Sequence, residues 1–245
     1  MTIGIRGGTP ATTSNTGGSP TLSITLTGTR QPQANDVLLI IHGNDWFAAS
    51  NMPTPTVGGS TTGVNPVTNG AVDGGTNEAH AKSYTYVVPS TGDLTVAVTE
   101  TGTADEEKSL TVYVYSGVDT TTPIDVAGNS VNTTGSTSQT APSISPTASD
   151  SYLACHVNTG SGSSGTSYTP PSGMTETYDT DVGGFYSFTG AVLQLSASGA
   201  TGVKTFAGTG NAHWAGLSFA MKTAGGAAAA SQVSRKETMG ALLQL

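Results

Sequence analysis

Apolar and polar residues alternate along most of this chain with a period of two, the pattern of strands that bury one face. Leu22, Ile24 and Leu26 alternate with Ser and Thr; Tyr84, Tyr86 and Val88 follow the same rule, as do Leu94, Val96 and Val98, and Leu110, Val112 and Val114. The run Val37 to Ile41 is continuously apolar and predicts a strand covered on both faces. Further strands are expected at Tyr152 to Val157, Phe185 to Leu195, Val203 to Ala207 and Trp214 to Met221. The segment PSTGD joins Tyr84–Val88 to Leu94–Val98 and reads as the turn of a hairpin. Helical periodicity is nearly absent, so almost no helix is expected before residue 222.

About ten strands separated by Gly-, Ser-, Asn- and Pro-rich loops predict an all-β fold, an antiparallel β-sandwich of jelly-roll-like type. The strands fall into two sets, Leu22 to Val114 and Tyr152 to Met221, separated by a Ser/Thr/Pro-rich stretch from Asn129 to Ser149. That stretch reads either as an interdomain linker or as a crossover along one sandwich edge, and a single domain over 21–222 is the favoured division. Residues 1–20 lack periodic apolar positions and are expected to form an N-terminal arm. After Lys222 comes the small-residue linker TAGGAAAAS, then QVSRKETMGALLQL, whose Met239, Leu242, Leu243 and Leu245 form an apolar end. Residues 223–245 therefore read as a linker and C-terminal docking arm that assembles onto a neighbour.

Composition limits the partners. The formal net charge is -8, and the eight Lys and Arg residues are scattered, which argues against nucleic acid. No run approaches the roughly 20 apolar residues of a membrane-spanning helix, so no membrane insertion is expected. The opening MTIGIRGG has no signal-peptide pattern, and synthesis in a cytoplasm is the corresponding expectation. Cys155 stands alone within SYLACHV and reads as a small, buried, unreactive core residue.

Candidate chemistry is sparse. His42, Asn44 and Asp45 cluster in IHGND at a strand end, whereas His80, His156 and His213 each stand alone, short of the three or four ligands of a zinc site. Asp179 and Asp181 precede a glycine pair, but the position of a calcium loop's closing Glu holds Gly190. The acidic patch Asp105 to Glu107 reads as a solvated turn. Glu78, Glu100, Glu176 and the aspartates supply no singled-out catalytic pair, and no GxSxG elbow or phosphate loop occurs. No catalytic, cofactor-binding or metal residue is assigned, no cofactor is expected, and the chain is read as a non-enzyme. Asp45, Trp46 and Tyr178 are the candidates for ligand-contacting loops. Trp214 and Trp46 fit core positions better than exposed sugar platforms.

Three segments carry a resemblance. VYVYSGVDTTTPIDV, Val112 to Val126, runs from a strand through a Gly-Val-Asp turn into Pro-Ile-Asp; YTPPSGMTETY, Tyr168 to Tyr178, is similar to a PPxGW element with Met174 in the tryptophan position; and AHWAGLSFAMKTA closes the last strand. With the start MTIGIRG and the end MGALLQL, they resemble minor tail proteins of tailed phages that infect actinobacteria. The resemblance implies a virion structural protein, made in the host cytoplasm and released by lysis. Its partners would be other virion proteins and copies of itself, with a host cell-surface glycan as a further candidate. A capsid decoration protein and a glycan-binding adhesion module are the alternative readings, and a wall-degrading hydrolase is a more distant one.

Overall fold

A computed structural model describes residues 2–16, 21–45, 52–72, 78–100, 107–160, 167–183 and 186–225. Among the described residues there are fifteen strands and no α-helix, only a 3-10 turn at Gly28–Arg30. The strands of the first half are β1 (Gly4–Ile5), β2 (Ala11–Thr16), β3 (Thr21–Leu26), β4 (Val37–Asn44), β5 (Thr56–Val57), β6 (Asn65–Val72), β7 (Ala79–Val87), β8 (Leu94–Thr99) and β9 (Glu107–Ser116). The second half contains β10 (Ile124–Ala141), β11 (Tyr152–Thr159), β12 (Tyr168–Thr169), β13 (Thr175–Val182), β14 (Tyr186–Gln194) and β15 (Lys204–Met221). All pairings are antiparallel, and the sheets pack as sandwich layers.

The two halves repeat one topology. In the first, the large sheet has the order β2-β9-β4-β7-β6, with β1 also on β9, and β3-β8-β5 forms a small second sheet. In the second, the large sheet has the order β10-β15-β11-β14-β13, and β12 pairs with β15. There the small layer is made by the ribbon of β10 and β15 itself, which doubles back through register shifts between Asn132 and Ser138. The return is tight enough for Ser130 Oγ to donate to the Thr140 carbonyl at 2.6 Å.

Details correspond as well as strand order. Val37 lies between Tyr115 and Val87, as Tyr152 lies between Met221 and Gln194. The Val88 N–H donates to Asp36 O at 2.9 Å, and the Leu195 N–H donates to Ser151 O at 2.9 Å. Each half has a β-bulge at the same step of its outer strand, between Pro66 and Asn69 and between Glu176 and Tyr178. The turn before that strand is also repeated. Gly63 (φ 80°) and Gly173 (φ 79°) supply left-handed backbone, and Val64 and Met174 then donate to Thr61 O and Pro171 O at 3.1 and 3.0 Å. The PPSGM segment is thus one of two equivalent turns, and Met174 is buried as its anchor.

The large sheets face each other. β6 lies over β10 and β15, while β13 lies against β2, the reciprocal arrangement of a two-fold relation between the halves. Val37, Leu39, Ile41, Tyr113 and Tyr115 from the first half enclose the central core with Ala154, Val192, Leu217, Phe219 and Met221 from the second. On the far side of the first sheet, Leu38, Ile40, Val112 and Val114 pack against Leu22, Ile24, Leu26, Val96 and Val98. This explains the continuous apolar run of β4, whose Val37 to Ile41 are at most 1% exposed. On the far side of the second sheet, Leu153, Cys155, Val157, Phe206 and Trp214 form a third core.

Three sequence-based expectations change. Residues 1–20 do not form an arm throughout: Ala11–Thr16 pair residue for residue with β9, Gly4–Ile5 extend the same edge, and Ile3 is buried. Their alternation of Thr, Ser and Asn suits an edge strand with only one covered face. PSTGD is no hairpin, because β7 and β8 belong to different sheets and the segment crosses between them. The stretch Asn129 to Ser149 is neither linker nor simple crossover, since it holds most of β10 and then runs back over the second sheet. The docking-arm residues Met239, Leu242, Leu243 and Leu245 lie outside the described residues.

The resemblance-bearing segments at the junction form a clasp. Val118 bridges Thr223, Asp119 N–H donates to Lys222 O at 2.9 Å, and Lys222 Nζ sits 3.2 Å from Asp119 Oδ2. Asp119 is held below the usual carboxylate range by the N–H groups of Thr122 and Thr121 and by Lys222. SGVDTTTP and AMKTA therefore tie the connection between the halves to the end of β15.

Candidate functional site

The strongest concentration of chemistry lies at one end of the first half, where strand ends carry polar side chains into a covered position. β4 contributes His42 and Asn44, β9 contributes Lys108 directly opposite Asn44, β7 contributes His80, and Glu100 follows β8. His42, His80 and Lys108 are fully buried, and Asn44 is 4% exposed.

One carboxylate organises the group. Glu100 Oε1 lies 2.9 Å from His42 Nε2 and accepts from Asn44 Nδ2 at 2.9 Å. Its other oxygen, Oε2, accepts from Lys108 Nζ at 3.3 Å. Burial pushes the Glu100 pKa up, but the bonds from His42 and Asn44 and the charge of Lys108 outweigh it and hold it at about 2. Asn44 Oδ1 in turn lies 3.1 Å from His80 Nδ1. With Asn44 Nδ2 committed to Glu100, this oxygen is the acceptor and the His80 ring is the donor.

A second polar group lies between the halves. Tyr113 and Tyr115 stack with centroids 5.4 Å apart, Tyr115 meets the edge of Tyr152, and Tyr178 packs against Tyr113, His156 and Phe188. The Tyr178 hydroxyl is 2.5 Å from His156 Nδ1, Tyr113 bonds Thr177 at 2.9 Å, and Ser109 bonds Tyr186 at 2.7 Å. Burial lowers the His156 pKa to about 3, so the ring is neutral. This surface is a joint: Ser109, Tyr113, Tyr115, His156, Tyr186 and Phe188 are buried, and Tyr152, Thr177 and Tyr178 are half-buried beside them.

The sequence candidates disperse. Tyr178 lies in the middle of β13 rather than in a ligand-contacting loop, and its ring turns inward over Gly190, where a Cβ would collide with it. The bulge after Glu176 sets that direction. Asp45 is 8% exposed and its N–H donates to Glu107 O, so it closes the end of β4. Trp46 lies outside the described residues. Asp179 accepts from the Tyr168 N–H at 2.9 Å and Asp181 from Ser187 Oγ at 3.2 Å, both holding strands together. Cys155 is fully buried beside Ser218, and burial pushes its thiol up to about 12. Trp214 is a core residue, 4% exposed. Among the described residues no three His, Cys, Asp or Glu side chains converge as metal ligands.

Sequence reasoning named His42 and Asn44 together but separated them from Glu100, Lys108 and His80, which come from distant parts of the chain. A usable signal lay in Lys108, a lone cation at the polar start of an otherwise apolar strand.

Comparisons with protein families, curated proteins and solved structures returned no match.

Proposed function

We propose that this chain is a non-enzymatic structural component of a tailed-phage virion, at the tail or its tip, built as a rigid doubled sandwich. The observation that carries this reading is the first large sheet, covered on one face by its own small sheet and on the other by the second half. A sheet enclosed on both faces resists bending, which suits a load-bearing part. The described surface agrees, because Val131 and Val203 are its only exposed large apolar side chains, compatible with dense packing in a particle. The clasp at SGVDTTTP and AMKTA gives the segments behind the tail-protein resemblance a structural role. Docking would then fall to the sequence after Gly225, with Met239, Leu242, Leu243 and Leu245 as anchors. In particles purified from a lysate of the phage that encodes it, peptides of the chain should co-sediment with tail proteins. A chain truncated after Gly225 should fold yet be missing from those particles. Full-length protein found only in the soluble lysate would overturn the reading.

A further inference from the structure

The arrangement around Glu100 holds every part needed to join two side chains covalently. Asn44 and Lys108 are direct cross-strand partners on β4 and β9, both buried. A single carboxylate receives the Lys108 amine on one oxygen, at 3.3 Å, and the Asn44 amide nitrogen on the other, at 2.9 Å. Nucleophile and electrophile are thus presented side by side to the group that can carry a proton between them. On the opposite side of the amide, His80 donates to the carbonyl oxygen at 3.1 Å, where negative charge would develop. His42 fixes the carboxylate from a third direction, at 2.9 Å.

We propose that Lys108 and Asn44 become linked by an intramolecular amide bond, with Glu100 as the catalytic proton carrier. The neutral Lys108 amine attacks Asn44 Cγ. The C–N bond to Lys108 forms, and the carbonyl electrons move onto Oδ1, which His80 stabilises. Glu100 relays one proton from the attacking nitrogen to the departing Nδ2, the carbonyl re-forms, and ammonia leaves. Nothing is oxidised or reduced, and no other reactant is consumed. Enclosure favours the step, because it holds the groups at high effective concentration and excludes competing water. The bond would close the chain from Asn44 to Lys108 into a covalent loop containing β5 to β8, anchoring the small sheet of the first half.

Intact-mass measurement of the purified full-length protein tests this. The expected mass is lower by about 17 Da, one ammonia, than that of a Lys108→Arg variant after allowance for the substitution. Tryptic digestion should join residues 31–82 to 83–204, with cleavage at Lys108 lost and tandem spectra placing the link at Asn44. Glu100→Gln should retain a β spectrum yet show the uncorrected mass. An unmodified wild-type mass, or the same loss in Lys108→Arg, would overturn the proposal. A normal cross-link in Glu100→Gln would overturn the role given to Glu100. Should Glu100→Gln fail to fold, the wild-type and Lys108→Arg masses still decide the bond itself.

Discussion

Strands β9 and β15 occupy equivalent places in the two halves, yet they bring opposite chemistry to them. Tyr115 and Met221 are the equivalent partners of Val37 and Tyr152, so Tyr113 corresponds to Phe219, Thr111 to Leu217 and Ser109 to Ala215. At the joint, β9 presents hydroxyl-bearing side chains where β15 presents hydrocarbon. The outer faces differ too. Lys108 corresponds to Trp214, and the end held by Glu100, His42 and Asn44 in one half is filled by Val157, Tyr168 and Trp214 in the other. One topology thus tolerates two ways of closing a sandwich end: an ionic network gathered on one carboxylate, and an apolar plug. The topology is set by strand order, bulge and turn, which the halves share, and not by the chemistry of the core.

Substitutions at equivalent positions should expose this difference. Phe219→Ala removes a fully buried ring from the joint and should cost about 3–5 kcal/mol in denaturant unfolding. Tyr113→Phe at the matching position keeps the ring and loses the hydroxyl bonded to Thr177, so about 1 kcal/mol is expected. Costs that are equal at the two positions would mean that the hydroxyl side of the joint contributes as much as the hydrocarbon side.

Between these in size lies the effect of acid. His156 is neutral in the folded protein with its pKa lowered to about 3, whereas the unfolded chain binds a proton near its ordinary value of about 6.5. Its contribution to stability is complete above that unfolded value and is lost as pH falls from about 6.5 towards 3. Stability followed across this window should decline, and His156→Gln should flatten the decline. An unchanged slope in the variant would assign acid sensitivity elsewhere.

Strand character and the doubly covered β4 were legible in the sequence because alternation and its loss report directly on which faces are buried. Cys155 was legible for the same reason. The doubled architecture was not. It shows in bulges, turns and register, features set by backbone geometry that residues as different as Val64 and Met174 or Lys108 and Trp214 can satisfy. β10 escaped because Val131 is the one large apolar residue from Asn129 to Thr140, and an edge ribbon exposed on one side needs little apolar patterning. Tyr178 looked like a loop residue because its neighbours Glu176, Asp179 and Asp181 are acidic. On an outer strand such residues can face water while the aromatic turns inward. The site around Glu100 was hidden for another reason: its members are brought together by sheet register, which a linear reading does not contain.

The two large sheets pack face to face as a joined pair. A Cβ built at Gly70 on β6 would lie 3.3 Å from Ala215 Cβ on β15, a separation close to the span of a disulfide across the joint. A full-length Gly70→Cys, Ala215→Cys protein should oxidise to an intramolecular disulfide while folded, with Cys155 still reduced, as read by intact mass and by peptide mapping. Two thiols at these positions that stay free in the folded, oxidised protein would contradict the arrangement.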